Sequence, residues 1–299
     1  MDFSSNVAFL ELFLDIISRR TGEIGKVSYR PQKPAFDLDC PEGTPLPRST
    51  PEEQGISSEW TANLLHELGE ASPLHMHQFM LLRHGKVICE TAFAPYQTGI
   101  WHATYSMCKS FAGMAIGLLV DDGKIHLDDQ VLSFFSGIRN PIHIMRLRDL
   151  TIRHLLTMSS GIAFNEMGAI SGDDWTSGFF SSSVRFAPGT QFNYNSMNTF
   201  LLSAIVTKVT GQSLYDFLKE RLFEPLGIRQ AFWESSPTGI TKGGWGMYLR
   251  PEDAARLGLL YLNTGCFQGR QLISEKWVSE AVKLQISTGR VVNPGYGYQ

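Results

Sequence analysis

A serine and a lysine stand three positions apart in the segment SMCKSFAGMAIGLLV, which begins at Ser106. In a helix this separation places the side chains of Ser106 and Lys109 on one face, within contact distance. A serine hydroxyl becomes a strong nucleophile only when a nearby base takes its proton. A lysine amine is such a base when desolvation or positive neighbours lower its pKa. The pair therefore predicts a nucleophilic Ser106 with Lys109 as its base, and the positive end of the helix dipole favours the developing oxyanion.

The pattern SxxK is weak evidence alone, because it occurs by chance about once in a chain of this size. Here it occurs once, and it places an ionisable lysine in an otherwise apolar helix, which is unfavourable unless pairing or function compensates. The alternative is a structural helix whose Lys109 extends its ammonium group to the surface. In the same helix, Gly113 and Gly117 predict a stripe where a neighbouring element approaches closely.

A tyrosine in the segment PGTQFNYNSMNTF is the second candidate for chemistry. Tyr194 lies just before a predicted helix that begins near Met197. A phenol close to a cationic lysine can lose its proton below its usual pKa of about 10 and pass that proton to a leaving group. The alternative is a tyrosine that packs its ring and hydrogen-bonds its hydroxyl for structural reasons only.

Other classes of function lack support in the sequence. The chain has 299 residues, of which 43% are hydrophobic and 18% charged, and its formal net charge of -3 gives no basic field for nucleic acid. A small molecule or a peptide is the predicted partner. The sequence contains no GxSxG, HExxH, CxxC or phosphate-binding glycine loop, so we predict neither a metal nor a cofactor.

The apolar stretch from Val7 to Ile17 is interrupted by acidic residues and followed by arginines, the reverse of a secretory signal, so it predicts an amphipathic helix. No apolar run approaches the roughly 20 residues that span a bilayer. The four cysteines have no paired spacing and are predicted to be reduced thiols. These features predict a cytoplasmic protein, and they leave its oligomeric state open.

The pattern along the chain predicts an α/β (α+β) fold. Residues 20–56 are rich in Pro, Gly and charge and predict an extended wrapping segment. A hairpin is predicted over 79–83 and 87–93, with one sheet assembled from sequence-distant pieces. The predicted helices cover 58–68, 106–120, 150–158, 174–180, 197–209, 213–226, 251–262 and 274–281, and a glycine-rich strand covers 243–249. The predicted units are 1–56, a discontinuous α/β domain of 57–125 and 236–299, and a mostly helical domain of 126–235.

Several of these segments together resemble a known superfamily. In order along the chain, they are YSMCKSF, LLTMSSG at 155–161, PGTQFNYNS and GGWGMYLRPEDAARLGLLYLNTG. They are similar to segments of the class C β-lactamases and D-alanyl-D-alanine carboxypeptidases, the penicillin-recognising serine hydrolases. The likeness extends from the hairpin to residue 264. It implies a β-lactamase/transpeptidase-like fold, in which an antiparallel sheet flanked by helices is joined to a mostly helical domain.

The resemblance also implies roles for single residues. Ser106 would be acylated, Lys109 and Tyr194 would share the proton transfers, and Ser196 would stand where the family's YxN motif often has asparagine. This departure shifts the expected substrate from β-lactams towards esters or linear amides. We expect Ser196, Tyr105 and Trp245 to contact substrate. The aromatic residues expected to line a cleft, unless they belong to the core, are Trp101, Tyr105, Trp175, Phe179, Phe180 and Trp245.

A second departure concerns the third motif of the superfamily, KTG or HxG on a strand beside the nucleophile. The chain contains neither sequence. We therefore predict that the C-terminal strands carrying this motif and the second oxyanion donor are missing, as in a truncated chain. Loss of one such donor typically lowers the rate by about 100- to 1000-fold. The leading hypothesis is a serine hydrolase that forms an acyl-enzyme, and the alternative is a catalytically silent ligand-binding homologue. Acyl transfer to an alcohol or amine would use the same residues.

Overall fold

The structure is a computed structural model that describes residues 32–40, 43–70, 74–166, 169 and 172–299. The helix predicted from Val7 to Ile17 lies outside the described residues. Among the described residues, no helix combines the length and the apolar character that crossing a membrane would require.

Most of the helices begin where a short polar side chain accepts a hydrogen bond from a backbone N–H of the first turn. Such a cap satisfies a donor that the helix itself leaves without a partner. The helices are α1 Ser58–Glu70, α2 Cys108–Asp121, α3 Pro141–Leu147, α4 Ile152–Leu156, α5 Trp175–Ser181, α6 Ser196–Thr210, α7 Leu214–Leu218, α8 Glu224–Leu226, α9 Pro251–Leu262 and α10 Glu275–Ala281. A π-helical turn, Lys219–Phe223, joins α7 to α8.

The strands are short and form small antiparallel sheets. The strands are β1 Gln78–Arg83, β2 Lys86–Ala92, β3 His102–Ala103, β4 Phe232–Trp233, β5 Met247–Leu249, β6 Cys266–Phe267, β7 Arg270–Gln271, β8 Ile286–Ser287 and β9 Gly295–Tyr296. The sheets have the orders β1-β2, β3-β5-β4, β6-β7 and β8-β9. The fold agrees with the predicted β-lactamase/transpeptidase-like class.

The predicted hairpin is confirmed as β1 and β2. Its turn uses His84 and Gly85, which both have positive φ, 49° and 76°. The sheet β3-β5-β4 does combine sequence-distant pieces, as expected, whereas the hairpin pairs separately within the described residues. The predicted strand 243–249 is shortened to 247–249, because Gly243 and Gly246 have φ of 69° and 78° and bend the chain out of an extended path.

Helix α2 is the centre of the core and packs against α6, which is buried over most of its length. The predicted glycine stripe is confirmed. A Cβ added to Gly117 would lie 2.4 Å from the indole of Trp277, and one added to Gly113 would lie 3.4 Å from the carbonyl oxygen of Tyr298. The missing side chains therefore let α10 and residues 298–299 lie directly on the nucleophile helix.

The residues after β9 run into the core. The hydroxyl of Tyr298 accepts a hydrogen bond from Arg153 at 2.7 Å, and its ring packs against Trp277. The side-chain amide of Gln299 donates to the carbonyl of Leu155 at 3.0 Å and accepts from the hydroxyl of Thr199 at 2.5 Å. This segment therefore ties α4 to α6.

The segment before α1 lies along the outside of β2 and α9. Backbone hydrogen bonds join Pro47 and Ser49 to Val87, at 2.8 and 3.0 Å. The buried Arg256 donates to the carbonyl of Thr44 at 2.6 Å and pairs with Glu252 at 3.1 Å. The predicted division of the chain into three units remains a prediction.

Candidate active site

Ser106 does not lie inside the regular helix, as the sequence predicted, but in a 3-10 turn, Tyr105–Met107, that leads into α2. The turn begins with Tyr105 in the left-handed region, at φ 46°, a conformation that is uncommon for a large side chain. Ser106 is exposed, and Tyr105 beside it is 77% exposed. The strained turn thus presents the serine hydroxyl at the surface while the following helix is buried.

Lys109 is the buried partner of this serine, with only 1% of its surface exposed. Its Nζ donates to the hydroxyl oxygen of Ser106 at 3.0 Å, to that of Ser196 at 3.0 Å and to the carbonyl oxygen of Gly244 at 2.6 Å. An ammonium group has three hydrogens to donate, so these contacts use its full capacity. The structure excludes the alternative in which Lys109 extends to the surface.

Helix α6 supplies the second hydroxyl. Asn195 caps the helix through its side-chain oxygen, which accepts from the backbone N–H of Met197 at 2.9 Å. Its side-chain amide donates to the carbonyls of Ile162 and Phe164, at 3.2 and 2.7 Å. This buried cap fixes the first residue of α6, Ser196, against Lys109. The capping role of Asn195 was not predicted from the sequence, although a polar residue just before an apolar helix is the usual pattern of such a cap.

Tyr194 lies on the open side of the lysine. The Nζ of Lys109 is 5.0 Å from the centroid of the Tyr194 ring, and this tyrosine is 43% exposed. The ring of Tyr296, on β9, packs edge-on against it with centroids 6.4 Å apart. Burial, followed by the nearby Tyr194, raises the pKa of Tyr296 far above its usual value, so this second phenol remains protonated.

The loop 242–246 covers the first turn of α2 from the other side. The thiol of Cys108 donates to the carbonyl of Gly243 at 3.2 Å, next to the bond from Lys109 to Gly244. A Cβ on Gly244 would lie 2.9 Å from the carbonyl oxygen of Ser196, so only glycine fits this approach. A strand was predicted here from the sequence, and the carbonyl of Gly244 was not predicted as a hydrogen-bond acceptor for Lys109.

A buried ion pair between Lys242 and Glu234 anchors this loop to the residue that follows β4. Desolvation lowers the pKa of Lys242, and the hydrogen bond to Glu234 opposes that effect. Removing one member of such a pair would leave an uncompensated buried charge. This pair was not predicted from the sequence, because its two residues are eight positions apart and no helical or strand periodicity relates them.

The aromatic residues proposed as cleft walls divide into two groups. Trp175, Phe179 and Phe180 are fully buried in the core. These three residues therefore belong to the core, the second of the two possibilities that the sequence left open, because α5 turns its apolar side inwards. Trp101 and Trp245 are half-buried, the ring of Trp245 is stacked on Trp175 at 5.5 Å, and Tyr105 is exposed beside the nucleophile.

Comparison with known proteins places these observations in a family. The family described as Beta-lactamase matches residues 62–290. A 6-aminohexanoate-dimer hydrolase from Paenarthrobacter ureafaciens is 25% identical over 68% of this chain and 56% of that protein. Penicillin-binding protein 4 from Amycolatopsis lactamdurans is 30% identical over 56% of this chain and 41% of that protein.

The fold is similar to that of an octameric penicillin-binding protein homologue from Pyrococcus abyssi. The TM-score is 0.62 at 22% identity, over 80% of this chain and 63% of the other. The chain spans about half the length of the curated relatives that it matches, 56% and 41% in the two named above. Because the family match covers more than half of the sequence, the chain belongs to the beta-lactamase family.

Proposed function

We propose that this chain is a serine hydrolase that acts through an acyl-enzyme on Ser106. The observation that carries the proposal is the 3.0 Å contact between the exposed hydroxyl of Ser106 and the amine of the buried Lys109. A lysine in its neutral form can accept the serine proton, and this contact places the two groups within reach of that transfer. The backbone N–H of Ser106 is the proposed donor to the oxyanion of the tetrahedral intermediate.

Tyr194 is the proposed partner of Lys109 on the substrate side. Its ring lies 5.0 Å from the lysine Nζ, and its partial exposure leaves it accessible to a ligand in the cleft. Replacement of Tyr194 by Phe removes the hydroxyl and keeps the ring. If the phenol takes part in proton transfer, we expect a fall in turnover on the order of 100-fold. Unchanged turnover would leave Tyr194 with a packing role only.

The proposed substrates are esters and linear amides. Two features support this class: a serine at position 196, in place of the asparagine of the YxN motif, and the likeness to a 6-aminohexanoate-dimer hydrolase. Tyr105 and Trp245 are the proposed substrate contacts, because Tyr105 precedes Ser106 in the chain, Trp245 follows Gly244, the acceptor from Lys109, and both are at least partly exposed. Comparing the hydrolysis of a butyrate ester with that of a chromogenic cephalosporin tests the assignment. Faster turnover of the cephalosporin would contradict it.

Covalent labelling tests the central proposal. The purified chain is treated with a fluorophosphonate probe, and the modified peptide is identified by mass spectrometry. We expect an adduct on Ser106, which Ser106→Ala abolishes. The matched control is Ser110→Ala, which removes a hydroxyl from the first turn of α2, just after the turn that holds Ser106, and should leave labelling unchanged. An unlabelled wild-type chain would contradict the proposal and favour the catalytically silent homologue.

A further inference from the structure

The hydroxyl of Ser196 lies as close to the lysine amine as the proposed nucleophile does. Both oxygens are 3.0 Å from the Nζ of Lys109. Ser106 is exposed, whereas Ser196 is 5% exposed, at the start of α6. The lysine therefore lies between two hydroxyl groups, one on the surface and one within the protein.

The third partner of the lysine restricts how its hydrogens are shared. The carbonyl oxygen of Gly244, 2.6 Å away, can only accept, so it holds one hydrogen of Nζ whatever the charge of the lysine. A neutral amine has two hydrogens and one lone pair. After Gly244 has taken one hydrogen, one hydrogen and one lone pair remain for the two hydroxyls. One hydroxyl must then donate to the lysine while the other accepts from it.

This arrangement matches what acylation requires. When Lys109 is neutral, its bond to Ser106 reverses: Ser106 donates its hydrogen to the lone pair of Nζ, and Nζ donates its second hydrogen to the oxygen of Ser196. The hydrogen of Ser196 is then not used in its bond with Lys109, in which the Ser196 oxygen is the acceptor. An asparagine at this position would offer an amide, which does not exchange protons readily, so the relay depends on the hydroxyl that this chain has.

We infer that Ser196 is a proton relay, which carries the proton released by Ser106 from Lys109 to the leaving group of a linear amide or alkyl ester. The inference rests on the proposed function. It concerns only the protonation of the leaving group, and it leaves the other proton exchanges of Lys109 to Tyr194. The hydrogen bond between Nζ and the Ser196 oxygen, at 3.0 Å, supports this assignment because it is a direct contact through which a proton can pass.

The steps balance. The Ser106 oxygen bonds to the carbonyl carbon, its proton moves to Nζ of Lys109, and the carbonyl oxygen takes the π electron pair. On collapse, the bond from carbon to the leaving nitrogen or oxygen breaks, and that atom takes the proton of Ser196. The Ser196 oxygen regains a proton from the ammonium of Lys109, which returns to the neutral amine. In deacylation, water attacks the ester and its proton returns through Lys109 to Ser106.

The relay matters only for leaving groups that must be protonated. A 4-nitrophenolate departs as a stable anion, whereas an alkoxide or an amine anion does not. We therefore expect Ser196→Ala to hydrolyse 4-nitrophenyl butyrate within about threefold of the wild-type kcat/KM. With phenyl butyrate the loss should be larger, and with ethyl butyrate it should reach about 100-fold. Ser196→Thr, which keeps a hydroxyl, should restore most of the ethyl butyrate rate.

Two controls separate a relay from a structural effect. Ser203→Ala removes another buried hydroxyl of α6, one that donates to the carbonyl of Thr241 at 2.6 Å and lies away from Lys109. This variant should show the same dependence of kcat/KM on the leaving group as the wild type. Thermal unfolding of each variant checks the fold.

Several outcomes would overturn the inference. An equal loss on all three esters would mean that Ser196 only positions Lys109, and no loss on any would mean that it has no part. A wild-type chain that labels on Ser106 but hydrolyses none of the esters would also overturn the relay. In each of these cases Ser106 still labels, whereas failure of the proposed function itself would appear as an absence of labelling.

Discussion

Two regions contribute polar atoms to Lys109, and they do so by different means. The turn that leads into α2 presents the hydroxyl of Ser106, the first residue of α6 presents that of Ser196, and the two helices pack against each other. The loop 242–246 presents a backbone carbonyl, and its path depends on glycine and on one ion pair. The helices supply the groups that can exchange protons, and the loop supplies an acceptor that cannot. The fixed acceptor orients the lysine hydrogens.

Of the changes that test this comparison, removing the lysine should have the largest effect on the labelling of Ser106. Lys109→Met keeps a long apolar side chain in the helix and removes the base, so we expect fluorophosphonate labelling of Ser106 to slow on the order of 1000-fold. The fold should survive, because losing a buried charge is less damaging than leaving one without its partner. Lys208→Met, on the exposed side of α6, is the control for loss of a positive charge. Normal labelling by Lys109→Met would exclude lysine as the base.

Gly244→Ala tests the loop separately from the helices. The new Cβ would lie 2.9 Å from the carbonyl oxygen of Ser196, so the loop must move and its carbonyl must leave the lysine. A displacement of this kind should slow labelling of Ser106 roughly 10- to 100-fold. Gly137→Ala is a suitable control, because its added Cβ has no atom within 4 Å. If Gly244→Ala labels at the wild-type rate, the loop carbonyl does not orient the lysine.

Gly117→Ala tests the packing beneath the helices. Its Cβ would overlap the indole of Trp277 at 2.4 Å, and overpacking of this kind costs about 1–3 kcal/mol in the free energy of unfolding. Gly258→Ala, in α9, has open space around its Cβ and should instead stabilise by about 0.5–1 kcal/mol through helix propensity. Urea unfolding of both variants measures the difference. Equal effects would mean that α10 does not pack closely on α2.

The smallest expected effect is a pH dependence of stability at α4. Burial, and to a lesser extent the neighbouring Arg153, lower the pKa of His154 below 6.5. As the pH falls below 6.5, the unfolded chain binds a proton that the folded chain does not, so the free energy of unfolding decreases. The neutral ring also accepts a hydrogen bond from the backbone N–H of Thr151 at 3.2 Å, which protonation would break.

Thermal unfolding between pH 7.5 and 5.5 checks this expectation. His154→Gln should lose less stability on acidification than the wild type does. Part of the dependence should persist, because burial also lowers the pKa of His102. His66→Gln, at an exposed position of α1, is the matched control and should keep the wild-type slope. If the stability of His154→Gln falls with pH as steeply as that of the wild type, another group causes the loss of stability in acid.

The sequence predicted the parts of the site that follow from local periodicity. A separation of three positions at the start of a helix predicted the contact between Ser106 and Lys109, and the expected start of α6 near Met197 lies within one residue of the observed start. The burial of Lys109 followed from the apolar character of α2, because such a helix has no polar face to place it on. The glycines at 113 and 117 likewise indicated a close approach.

The rest depends on tertiary contacts that carry no local signal. Nothing in the spacing indicated that the carbonyl of Gly244 would point at Lys109, because the direction of a carbonyl depends on backbone angles and not on residue type. The sequence left Trp175 open between a cleft wall and the core, because aromatic residues suit both places, and the structure puts it in the core. The role of the Glu234 and Lys242 pair depends on a turn whose geometry the sequence pattern does not specify.

The cysteine two residues after the nucleophile has a consequence for chemical labelling. Burial raises the pKa of the Cys108 thiol to about 12, opposed in part by the nearby Lys109, and the thiolate is the reactive form. At neutral pH an alkylating reagent such as iodoacetamide should therefore leave Cys108 intact. Thiol alkylation and phosphonylation of Ser106 are then orthogonal reactions. A fluorophore attached to a more accessible cysteine could report on the chain without blocking the nucleophile.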